Sequence, residues 1–197
     1  MRQIGKSKIE YPDTYIVLDT ETTGLSASED HLIEVAAIKY VDHKEIAHIL
    51  GDNLKEDTHY VSDFITQLTG ITNEMLKDAR GEKDVLKDFI EFIGDNVIIG
   101  HNVRFDIGFI YEALLKDFGV LFQNDYIDTL RIARKLLHND LERYRLKDLA
   151  DYYEIDYSHA HRAICDVEIT HDCYEYMMEN LFDEYGTIEN YMKKSKK

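Results

Sequence analysis

The segment Leu18-Asp19-Thr20-Glu21-Thr22-Thr23-Gly24-Leu25 sets two carboxylates two residues apart at the end of an apolar run. A strand directs residues i and i+2 to one face, so Asp19 and Glu21 point the same way. Two such acids repel each other and lose solvation, and a cation relieves both costs. Gly24 lets the chain turn away, and Thr22 and Thr23 add backbone N–H groups and hydroxyls that a nucleotide could use. The bland alternative is a pair of solvated strand-end acids. A second segment, Gly100-His101-Asn102-Val103-Arg104-Phe105-Asp106, follows another apolar run and opens a helix. Asn102 and Asp106 stand at i and i+4 and share a helix face. Asn102 could equally cap that helix and Asp106 could be a first-turn acid favoured by its dipole. The sheet edge where Asp106 falls is where ligands gather in open α/β sheets. The third segment is His161-Arg162-Ala163-Ile164-Cys165-Asp166. Five residues along a helix rotate by about 140°. His161 therefore belongs to the loop before a helix, free to act as a base, and Asp166 to its first turns, fixed for ligation. His159 and His171 compete for the base role and are read as surface or capping residues.

These side chains need elements to hold them. Tyr15 to Asp19 is a short apolar run, read as a buried strand; Leu32 to Val41 and Glu45 to Asp52 follow as strands joined by a turn at Asp42-His43-Lys44. Asn96 to Gly100 and Asp125 to Asp128 make a fourth and a fifth. Helical periods place Val85, Leu86, Phe89, Ile90 and Ile93 on one stripe and Phe105, Phe109, Ala113 and Leu114 on another. Shorter helices are expected over Thr129 to Leu137 and Leu146 to Tyr153. A long one is expected from about Ala163 to Leu181, with Ile164, Val167, Tyr174, Met178 and Leu181 inward. Three early strands followed by alternating helices and strands predict a mixed sheet with helices packed on it.

The 197 residues, 44% of them apolar, fit one domain with its own core. No stretch has the composition of a linker, a repeat or a membrane span, and Met1 to Glu10 lacks the apolar core of a signal peptide. An intracellular, cytoplasmic protein is expected. Cys165 and Cys173 lie eight residues apart on one expected helix, too far to bridge. The net charge of −16 argues mildly against nucleic acid, but clustered carboxylates that hold metal ions reverse the local sign. Lys193, Lys194, Lys196 and Lys197 form a small basic tail, read as a solvated end.

Taken together and in this order, the three segments resemble the DEDDh exonucleases of the ribonuclease H-like superfamily. The first is similar to that family's Asp-x-Glu-Thr-Thr-Gly motif, the second to Asn-x-x-x-Phe-Asp and the third to His-x-x-x-x-Asp. Leu68-Thr69-Gly70-Ile71-Thr72, Gly100-His101-Asn102 and Ala133-Arg134-Lys135-Leu136 look closest to the proofreading epsilon subunit and exonuclease module of bacterial DNA polymerase III. The resemblance spans about residues 15–181, leaving 1–14 and 182–197 as extensions. It implies an α/β, ribonuclease H-like fold around a central mixed five-stranded sheet, three antiparallel strands and then parallel ones. It also implies 3′→5′ hydrolysis at the end of single-stranded DNA, releasing nucleoside 5′-monophosphates, in proofreading or repair. Asp19, Glu21, Asp106 and Asp166 would hold two divalent ions, Mg2+ or Mn2+, with His161 as general base. Thr22, Thr23 and Gly24 would meet the terminal sugar, and Leu25 and Ile71 the last bases. Asn102 and Phe105 complete the expected substrate contacts, Phe105 being divided evenly between substrate and core. A DNA polymerase subunit is an expected partner. The alternatives are an RNA-trimming exoribonuclease of the same fold and a non-catalytic nucleic-acid-binding or interaction module.

Overall fold

The computed structural model describes residues 3–55, 60–158 and 162–193. In chain order the strands are β1 (Ser7–Lys8), β2 (Thr14–Thr22), β3 (Leu32–Val41), β4 (Lys44–Lys55), β5 (Arg80–Gly81), β6 (Val97–Gly100) and β7 (Tyr126–Asp128). The helices are α1 (Asp63–Thr69), α2 (Asn73–Lys77), α3 (Glu82–Ile93), α4 (Arg104–Phe118), α5 (Thr129–Leu136), α6 (Leu146–Tyr152), α7 (Ala163–Tyr185) and α8 (Ile188–Lys193). No helix among the described residues is long and apolar enough to cross a membrane.

One mixed sheet runs β1-β7-β6-β2-β3-β4-β5. β2, β3 and β4 are antiparallel neighbours, while β6 and β7 join β2 in parallel. All five expected strands are present in this arrangement. The expected count of five is corrected to seven among the described residues by β1 and β5, which flank the sheet. Each is two residues long and carries no alternating pattern, so periodicity could not reveal either. The turn between β3 and β4 is shorter than its three expected residues. Asp42 (φ 50°) and His43 (φ 60°) make a two-residue hairpin, both in the left-handed region that primed turns demand.

Alternation along β2 separates two cores. Tyr15 and Val17 join Ala36, Ile38 and the buried faces of α5, α6 and α7. Ile16 and Leu18 join Val35, Ala37 and the buried faces of α3 and α4. Helices thus cover both faces, which explains why Tyr15 to Leu18 is apolar without a break. A third, small cluster of Ile33, Val61, Ile65, Ile71 and Leu76 supports α1 and α2. These two short helices escaped the hydrophobic pattern, although their caps are in the sequence. Ser62 and Thr72 accept from the N–H groups of Ile65 and Met75, and Gly70 ends α1. The Leu-Thr-Gly-Ile-Thr segment is therefore a helix stop followed by a helix start. Both cysteines are free; Cys173 is fully buried in the α7 core and Cys165 is half-buried.

Candidate metal and nuclease site

β2 does not end before the acids but carries them, running on to Thr22 with a register shift at Glu21/Thr22. Odd-numbered residues of β2 face α7, so Asp19 and Glu21 continue the series begun by Tyr15 and Val17. On that side they meet Asp166 in the first turn of α7, and one carboxylate oxygen from each of the three lies within 4.8 Å of the others. Even-numbered residues face α4. Thr20 accordingly donates its hydroxyl to Asp106 Oδ1 at 2.7 Å, in the first turn of that helix. Asp106 is buried beside Asp19 yet stands outside the three-carboxylate group. Strand alternation explains the split.

The crowding has an electrostatic signature. Burial, then the charges of Asp106, Glu21 and Asp166, hold the Asp19 carboxyl well above the usual carboxylate range. Glu21 is pushed up to about 8 by burial and by Asp166. Burial raises Asp106 to about 7 against the opposing hydrogen bond from Thr20. These three raised carboxyls, with Asp166 beside them, form an oxygen-only donor set whose missing component is positive charge. Hard divalent cations such as Mg2+ and Mn2+ prefer such sets, so the residues fit the ions that the sequence implies.

Two further residues belong to this surrounding and were not singled out by motif. Glu34 on β3 pairs in register with Glu21 and is 0% exposed. Its carboxylate accepts from Arg162 Nη2 at 2.5 Å, from Arg162 Nε at 3.1 Å and from the Ala163 N–H at 2.9 Å. Glu34 thus caps α7 from a neighbouring strand and locks the turn that leads to Asp166. Its signal was an acid inside the otherwise apolar Leu32-Ile33-Glu34-Val35-Ala36. Tyr157 is the second, its hydroxyl pushed up to about 12 by burial and by the charges of Asp166 and Asp19. His161 and His159 lie outside the described residues. His171 stacks on Tyr40 at 3.8 Å between ring centroids, on the face of α7 that also carries Glu175.

The expected substrate contacts fare unequally. Leu25, four residues after Glu21, is 88% exposed. Ile71, expected against the last bases, is 0% exposed, because its surface packs the α1–α2 cluster. The Thr22–Gly24 loop closes on itself: Thr22 Oγ1 donates to the Gly24 carbonyl, and Thr23 exchanges two hydrogen bonds with the His31 backbone. A Cβ at Gly24 would lie 2.4 Å from the Asp30 carboxylate, which accepts from the Ser26 N–H, so a side chain there would displace Asp30. Asn102 neither caps α4 nor lies on it. Its φ of 58° places it in a tight turn held by its N–H bond to Asp128 Oδ1, and Val103 precedes the helix instead. Gly100 makes that turn feasible, because a Cβ would meet Val103 at 2.6 Å and the Leu18 carbonyl at 3.1 Å. Phe105 packs on the α3–α4 core and tilts against Phe109 at 5.0 Å, its core side realised.

Comparison with known proteins agrees with this geometry. The family model RNase_T, described as Exonuclease, matches residues 16–174. The DNA polymerase III subunit epsilon of Aquifex aeolicus is 33% identical over 178 residues, covering 90% of this chain and 87% of that protein. The DNA polymerase III PolC-type of Latilactobacillus sakei is 41% identical over 177 residues, 90% of this chain. The chain spans only 12% of the length of that much larger relative. Among solved structures, E. coli Exonuclease I in complex with a dT13 oligonucleotide aligns with a TM-score of 0.74. It is 22% identical, over 89% of this chain and 44% of that one, and shares the fold. The motif order, the three-layer fold and the family match agree: the chain belongs to the exonuclease family, on its DEDDh branch.

Proposed function

We propose that the protein is a metal-dependent 3′→5′ exonuclease that removes nucleoside 5′-monophosphates from single-stranded DNA. The observation that carries this reading is the meeting of Asp19, Glu21 and Asp166 within 4.8 Å, with buried Asp106 alongside. Asp19, Glu21, Asp166 and Asp106 would hold two divalent ions, Mg2+ or Mn2+. When bound, the ions supply positive charge to both the attacking and the leaving oxygen of the phosphodiester. The protein's own groups do the rest. His161 accepts the proton of the attacking water, a task suited to an imidazole that titrates near neutrality. Glu34 and Arg162 hold the start of α7 so that Asp166 stays in place. Leu25 offers apolar surface to a terminal base, a contact that tolerates any sequence. Thr22, Thr23 and Gly24 shape the loop beneath the terminal sugar, and Asn102 and Phe105 bound it from the α4 side. The similarity to the epsilon subunit and to PolC-type polymerases supports a role beside a replicative DNA polymerase.

Digestion of 3′-labelled and 5′-labelled single-stranded DNA and RNA, with Mn2+ or with EDTA, tests the reading. Stepwise loss of nucleotides from the 3′ end of DNA, abolished by EDTA, is the expected outcome. Faster degradation of matched RNA would reassign the substrate. Absence of any metal-dependent hydrolysis would leave a binding module and sink the enzyme assignment.

A further inference from the structure

The chain's positive charge is unevenly distributed. Six of its 23 Lys and Arg residues fall within 131–147, against two acids, in a molecule of net charge −16. Several of these cations are committed elsewhere. Arg131 donates to Ser7 Oγ at 2.9 Å, Lys135 sits 3.5 Å over the Tyr191 ring, and Arg145 forms a bidentate pair with Asp148. Arg134 and Arg143 form no ion pair among the described residues. Both line a groove of about 610 Å³ whose other walls include His101, Asn102 and Tyr144; one acid, Glu142, shares the rim.

The place of this groove relates it to the carboxylates. β6 pairs in parallel with β2 as far as Ile99 beside Val17, and His101 and Asn102 form the turn that follows, at the end of the sheet where β2 carries Asp19. The groove begins at His101 and Asn102 and leads away past α5 and the α5–α6 connection. Its wall is built in advance. His101 Nδ1 lies 3.0 Å from Thr129 Oγ1, the ring also hydrogen-bonds the Tyr144 backbone, and Asn102 is fixed through Asp128. A polyanion approaching an acidic protein is repelled on average, so a strand whose 3′ end enters the carboxylate site needs a local cationic path for the nucleotides behind it.

We propose that this groove holds the phosphodiester backbone of the substrate strand on the 5′ side of the scissile bond. Arg134 and Arg143 pair with successive phosphates, and Tyr144 offers its ring to a base. The inference rests on the exonuclease reading, and its test separates the two. The double variant Arg134→Gln/Arg143→Gln is compared with the wild type and with Arg134→Lys/Arg143→Lys. Fluorescence anisotropy in EDTA gives the affinity for a thymidylate dodecamer at several salt concentrations. Steady-state kinetics in Mn2+ compare that dodecamer with a trimer.

The Gln variant is expected to bind the dodecamer about tenfold more weakly. Its slope of log affinity against log salt should be shallower by about 1.4, roughly 0.7 for each phosphate of a single strand that is no longer neutralised. KM for the dodecamer rises towards that for the trimer while kcat holds, and the Lys variant keeps most of the affinity. Unaltered affinity and salt slope in a Gln variant of normal thermal stability would overturn the proposal. Equal losses on trimer and dodecamer would overturn it too, because the arginines would then act on the carboxylate site itself. A wild type that binds through these arginines but hydrolyses nothing would retain the groove and remove the exonuclease reading.

Discussion

Asp19 shows how a site can be costly to the fold that carries it. Its half-buried carboxyl lies beside three others and is held well above its usual range. Replacing it with Asn removes a charge that the metal-free protein must accommodate. In EDTA, Asp19→Asn should therefore raise stability by about 1 kcal/mol in urea titrations, while hydrolysis of labelled DNA falls by about a thousandfold or more. An unaltered rate would sink the ligand assignment. His161 makes the complementary case. His161→Ala should slow kcat by about a hundredfold to ten-thousandfold yet leave the midpoint of a Mn2+ thermal-shift titration in place. A midpoint displaced as far as in Asp19→Asn would make His161 a ligand rather than a base.

At the scale of elements, the site depends on how α7 is seated. Glu34 reaches from β3 to the first N–H of the helix and to Arg162, four residues before Asp166. Glu34→Gln should cost about 2 kcal/mol, because a partly buried guanidinium loses its counter-charge. It should also lower kcat by about tenfold, with circular dichroism unaltered; a full-rate variant would show that α7 is seated without this clamp. The β6–α4 turn makes a different prediction. His101 is depressed to about 4, mainly by burial, against an ordinary value near 6.5. Between those values the unfolded chain binds the extra proton, so this contribution to stability is complete above about pH 6.5 and is lost as pH falls towards 4. Relative to the wild type at each pH, His101→Gln should be spared about 2 kcal/mol of the loss between about pH 7 and about pH 5, read from urea midpoints. Parallel pH profiles would refute this. The same elements show what a sequence reveals. Tyr15 to Leu18 and the stripes of α3 and α7 are long enough for periodicity to speak, and the acids follow from their place on them. The two-residue strands β1 and β5 carry no period. The left-handed turn at Asn102 comes from packing of Gly100 against Val103 and Leu18, and the Glu34–Arg162 pair spans 128 residues. Those are tertiary facts that local patterns do not encode.

At the scale of the whole molecule, the two β2 faces divide labour between α4 and α7, so the three-carboxylate group and Asp106 are anchored in different cores. The segments outside residues 15–181 contribute to the same body. β1 pairs with β7, and Tyr191 of α8 is buried against α5. Deleting residues 3–9 should lower Tm by several degrees and promote self-association at high concentration in light scattering. A monomeric deletion with the parental Tm would show that β1 is dispensable.

The two short flanking strands have a consequence for assembly. A sheet recruits a foreign strand through a long run of unpaired N–H and C=O groups at its border, and here β5 pairs with β4 only at Leu54 and Lys55, so residues 44–53 of β4 have no strand partner on that side among the described residues. An incoming strand would find a long register on β4, whereas the β1 border is only two residues long. A partner strand joined to β4 would be separated from β2 and its carboxylates by β3 and β4. An attachment of that kind leaves the carboxylates of β2 uncovered.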